Sequence, residues 1–164
     1  MRTVCTNTLP YGAGPSGAEA RISRDSPATM QTPEFVVLSR EEAERYEPRG
    51  MEICISIADP DAEPAHVSDH FTAVLRLHFN DVTEQGAPSD ILFCADHARA
   101  IRAFVESWPN AERVVVHCNA GVSRSPGVVL GVCDFRGWAT AALERSHPGW
   151  NPLVRRVLAA EPTR

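Results

Sequence analysis

Val114-Val115-Val116, flanked by Arg113 and His117, is the segment that most constrains how this chain can fold. A continuous β-branched run suits a strand buried on both faces, and such strands belong to parallel sheets covered by helices on each side. The run delivers Cys118 at its carboxyl end, where a short loop containing Gly121 leads to Pro126. Proline is tolerated in the first turn of a helix, whose N–H groups lack intrahelical partners, so a helix is expected from Pro126 to about Phe135. A strand, tight turn and helix in this order place any ligand beyond the carboxyl end of the strand.

The rest of the chain alternates strand and helix patterns. Phe35–Leu38 reads as a strand, and Ser39-Arg40-Glu41-Glu42 has the capping-box form, predicting a short helix to about Tyr46. Met51–Ile57 and Val74–Phe79 read as further strands. A long helix is expected over Asp90–Ser107, capped by Ser89, because Ile91, Ala95, Ala98, Ile101 and Val105 recur on one stripe. Pro109 ends it, and shorter helices are expected near Trp138–Arg145 and Pro152–Ala159. The fold class is therefore α/β, with a central, mostly parallel sheet of about four or five strands flanked by helices. One domain is expected over residues 34–164. Residues 1–33, rich in Gly, Pro, Ser and Thr, are expected to form a flexible tail, with Met30 an alternative start.

Charge and cysteine content narrow the function classes. A net charge of -5 with no Lys/Arg-rich run argues against nucleic-acid binding, which requires a basic surface. No apolar run is long enough for membrane insertion. Five cysteines without a CxxC pair fit a reducing compartment, so a cytoplasmic location is expected. His66 and His70 have helical ligand spacing but no evident third ligand, so no metal site is expected.

The loop His117-Cys118-Asn119-Ala120-Gly121-Val122-Ser123-Arg124-Ser125 carries the chemistry. A phosphate monoester needs concentrated positive potential, which a tight loop at a helix N-terminus supplies through convergent N–H groups. Gly121 permits the required backbone, turning the amides of Asn119, Ala120, Gly121, Val122, Ser123 and Arg124 toward one anion. Arg124 adds a planar fork for two phosphoryl oxygens. Helix N-termini and cations favour the thiolate, which is the nucleophilic form of cysteine.

This HCxxGxxRS pattern resembles the signature of the protein tyrosine phosphatase superfamily, particularly its small dual-specificity type, found also in bacteria. The resemblance implies a phosphocysteine intermediate at Cys118, stabilisation of the transferring phosphoryl group by Arg124, and assistance to the departing thiolate by Ser125. It also implies that His117 braces the loop, and that no cofactor is needed. The family uses an aspartic acid on a separate mobile loop to protonate the leaving oxygen. Asp81, directly after the Val74–Phe79 strand, is the candidate; Asp59, Asp61, Asp69 and Asp90 rank below it. The expected partner is a phosphorylated protein, with a phosphoinositide or other small phosphomonoester as the alternative substrate and a catalytically weak phosphate-binding module as a third reading. The variable loop positions carry no Lys or Arg, which disfavours a polyphosphorylated headgroup.

Overall fold

The computed structural model describes residues 31–84 and 86–160. Its elements run β1 (Glu34–Leu38), α1 (Arg40–Arg45), β2 (Glu52–Ala58), β3 (Ala73–His78), α2 (Ala95–Ser107), β4 (Arg113–His117), α3 (Arg124–Arg136), α4 (Ala141–Ser146) and α5 (Pro152–Ala159). The tail expected over 1–33 lies outside the described residues, except for 31–33.

The four strands form one all-parallel sheet in the order β1-β4-β2-β3. This is the expected α/β architecture, at the lower end of the expected strand number. Both central strands, β2 and β4, are buried on both faces. Ile53, Ile55, Ile57, Val114 and Val116 enter the larger core with residues of α2, α3 and α5. Cys54 and Val115 face the other way, into a smaller core with Phe71 and, at its edge, Tyr46. The alternation of strand side chains therefore has an apolar partner on each side, which is why the sequence shows a run of valines instead of an in-out pattern.

Register fixes what meets at the carboxyl edge of the sheet. His117 pairs with Leu38 on one side and Ser56 on the other. Ala58 pairs with His78. The loops that follow β2, β3 and β4 thus leave the sheet together.

The helix α3 is buried on nearly all sides from Arg124 to Cys133. It starts two residues earlier than Pro126, which sits inside its first turn where no intrahelical N–H partner is lost. Gly137, at φ 70°, ends it, with Trp138 N–H donating to the Cys133 carbonyl. The expected start of the long helix is corrected: α2 begins at Ala95 with Cys94 as its N-cap, and Ser89 caps nothing. The preceding segment satisfies its polar backbone otherwise. Asp90 accepts from the Ala87 N–H, while Ile91 exchanges hydrogen bonds with Asn80, its N–H to the side chain and its carbonyl from the backbone. Ile91 is consequently exposed instead of joining the stripe. His97 then accepts from the Cys94 N–H and closes the first turn.

Close approach of α3 and α5 depends on two small residues. A methyl group at Gly127 would lie 2.9 Å from the Asn151 carbonyl oxygen, and one at Gly131 would lie 2.7 Å from Leu158 Cβ. Replacing Gly131 with Ala should favour the isolated helix by up to about 1 kcal/mol. Forcing apart a filled core costs typically about 1–3 kcal/mol. A net destabilisation of about 1–2 kcal/mol is expected, read as a lower urea midpoint; an unchanged or higher midpoint would show that the two helices have room to spare.

Candidate active site

Cys118 stands where β4 ends, 3% exposed, and its thiol has two polar neighbours. The Gly121 N–H donates to Sγ at 3.3 Å, and Ser125 Oγ lies 3.2 Å from it. The loop bends back because Gly121 adopts φ 71° and touches the end of β1. A methyl group there would meet the Leu38 carbonyl carbon at 2.7 Å and Ser39 N at 2.7 Å. The loop is further pinned by the Arg40 N–H, which donates to the Asn119 carbonyl at 3.0 Å. Asn119, Ala120 and Val122 form the exposed rim, and Val122 packs near Gly149.

His117 lies beneath the loop and is fully buried. Its Nδ1 is 3.1 Å from the Cys118 carbonyl oxygen, and its Nε2 is 2.7 Å from Ser56 Oγ. Burial holds the ring below its ordinary pKa, so the neutral form is favoured. A carbonyl can only accept, which places the proton on Nδ1 and makes Nε2 the acceptor from the Ser56 hydroxyl. The ring thus links the end of β4 to Ser56, which the sheet register brings alongside from the neighbouring strand.

Arg124 opens α3 and is 4% exposed. Its Nη1 donates to Asp59 Oδ1 at 2.7 Å and to the Phe79 carbonyl at 2.9 Å. Its Nε, equally buried, has no protein partner among the described residues. The guanidinium is thus gripped at one end and retains a buried donor suited to an anion.

The two carboxylates at the sheet edge are used differently. Asp59 is tied to Arg124. Asp81 accepts at Oδ1 from Ser123 Oγ at 2.7 Å and from Asn151 Nδ2 at 2.8 Å, which docks the loop after β3 onto the loop after β4. Asp61 and Asp69 take no part in these hydrogen bonds, and Asp90 closes the turn described above. Sequence reasoning had no means of assigning Asp59 to Arg124 before the strand register was known. It also missed Ser56 and Asn151, which are unremarkable as residue types and acquire a role only through long-range pairing.

Two further cysteines, Cys54 and Cys133, are buried away from this site. Burial pushes the Cys54 thiol up to about 12 and, with the nearby Asp134 carboxylate adding to it, the Cys133 thiol up to about 11. Such thiols are poor nucleophiles at neutral pH. No group of three or more His, Cys, Asp or Glu side chains able to hold a metal occurs among the described residues, so His66 and His70 acquire no third ligand there. No helix among the described residues is long and apolar enough to cross a membrane.

No family model and no curated protein matches the chain. Among solved structures, it is similar to the core catalytic domain of the PP-IP phosphatase SIW14 from S. cerevisiae, solved in complex with citrate, at 12% identity and a TM-score of 0.32. The match covers 68% of this chain and 61% of that one.

Two buried histidines set an acid limit on stability. Burial lowers the pKa of His97 as it does that of His117, so the unfolded chain binds more protons than the folded one once pH falls to the ordinary histidine value of about 6.5. Their stabilisation is complete above that pH and is lost progressively as pH falls from there toward the depressed folded values. The urea midpoint is expected to decline between pH 7.5 and 5.5, before carboxylate protonation begins; a flat midpoint across that range would contradict neutral buried rings.

Proposed function

We propose that this chain hydrolyses phosphate monoesters through a phosphocysteine intermediate at Cys118, as a member of the protein tyrosine phosphatase superfamily of the small dual-specificity type. The observation that carries this reading is the convergence of Cys118, Arg124 and Asp81 at one sheet edge, with Arg124 Nε buried and unpartnered. The substrate phosphate would sit over Cys118, accepting from the loop amides of residues 119–124 and from the free side of Arg124. The Cys118 thiolate attacks phosphorus while the bond to the ester oxygen breaks, and protonated Asp81 gives that oxygen its proton. Water then attacks the phosphocysteine, losing a proton to the Asp81 carboxylate. The phosphorus–sulfur bond breaks, phosphate leaves, and Ser125 Oγ supports the returning thiolate.

We read the substrate as a phosphorylated protein side chain, phosphotyrosine or either class of phosphoresidue. The rim residues Asn119, Ala120 and Val122 are uncharged, and Asp59 already offsets part of the Arg124 charge. A single phosphomonoester suits that balance better than a headgroup carrying several phosphates, which calls for more cations.

Hydrolysis of an aryl phosphate and a phosphotyrosine peptide should proceed in EDTA and vanish in Cys118→Ser. A folded wild-type protein that hydrolyses neither would overturn the reading, and activity surviving in Cys118→Ser would remove the cysteine from the mechanism. The variant Asp81→Asn should keep phosphate binding and lose about 10²–10⁴-fold in turnover with poor leaving groups. Wild-type turnover in that variant would assign the acid to another residue, with Asp59 the first to try.

A further inference from the structure

We propose that Asn151 is the positioning residue for the general acid, holding Asp81 in register with the phosphate-binding loop. This inference rests on the proposed hydrolase mechanism and adds a residue from a distant part of the chain to it. Asn151 is 0% exposed and lies at the N-cap of α5. Every polar group it carries is used. Nδ2 donates to Asp81 Oδ1 at 2.8 Å and to the Val82 carbonyl at 3.1 Å. Oδ1 accepts from the Val154 N–H at 3.1 Å, capping the helix. The backbone N–H donates to the Ser123 carbonyl at 2.9 Å, and the backbone carbonyl accepts from the Arg155 N–H.

One side chain therefore joins the acid's loop to α5, while its own backbone joins α5 to the phosphate-binding loop. The second bond to Asp81 Oδ1 comes from Ser123 Oγ, so that oxygen accepts from two donors and Oδ2 is left to carry the transferable proton. Gly127 of α3 permits this placement, since a methyl group there would lie 2.9 Å from the Asn151 carbonyl oxygen. An amide suits this role better than other side chains of its size. It supplies two donors for the loop and an acceptor for the helix at once, which neither aspartate nor leucine can do.

The test separates positioning from folding. In Asn151→Ser the hydroxyl can still cap α5, but the two donors to Asp81 and Val82 are lost. Turnover should be compared for p-nitrophenyl phosphate, whose leaving group needs little protonation, and phenyl phosphate, whose leaving group depends on it. A misplaced acid should slow phenyl phosphate by about 10–10²-fold and p-nitrophenyl phosphate far less. In the Asp81→Asn background, Asn151→Ser should then add little further loss, because the group it positions is already absent. Equal losses on both substrates, full additivity with Asp81→Asn, or no loss at all with a cooperative unfolding transition would each overturn the proposal. Inactivity of the wild type toward both substrates would instead be a failure of the hydrolase reading, so the two outcomes are distinguishable.

Discussion

Burial of β4 on both faces fixes the geometry on which everything else depends. Val114 and Val116 fill one core while Val115 fills the other, so the strand is gripped by apolar packing on both faces. Its end, and hence Cys118, is held to the same position by apolar packing and by pairing with β1 and β2. The loop needs to accomplish only the turn itself. Gly121 supplies that turn by pressing against the end of β1, and α3 begins as soon as the loop is complete.

The same sheet explains why the site's charges do not collapse onto one another. Asp59 and Asp81 leave from adjacent parallel strands, both toward the loop after β4. Each is claimed by a different donor set, Asp59 by Arg124 and Asp81 by Ser123 with Asn151. One carboxylate thus orients a buried cation, and the other ties two loops together through neutral donors. The two acids have the same chemistry and different partners.

Local signals in the sequence were strong where one segment carries its own instruction. The valine run, the capping box at Ser39, the stop at Pro109 and Pro152 at the start of α5 each depend on neighbours a few residues away. The loop from His117 to Ser125 was legible for the same reason. The misplaced start of α2 shows the limit: the helical stripe extends back to Ile91, but Asn80 captures that backbone from across the site, and no local pattern reveals such a competitor. Asp59, Ser56 and Asn151 were illegible on the same grounds, since their partners lie 61 to 70 positions away along the chain.

The strand order has a consequence for how the chain reaches this structure. The last strand in sequence, β4, lies between the first two, and Glu34 pairs with Arg113. During synthesis β2 and β3 can pair with each other as soon as both have emerged, but β1 has no neighbour in the sheet until β4 arrives. Contacts of such long sequence separation are slow to form, and an unpaired strand is prone to intermolecular association while it waits. The chain therefore completes its sheet and the loop that carries Cys118 in the same event, and a nascent chain released before β4 would carry β1 as an adhesive strand.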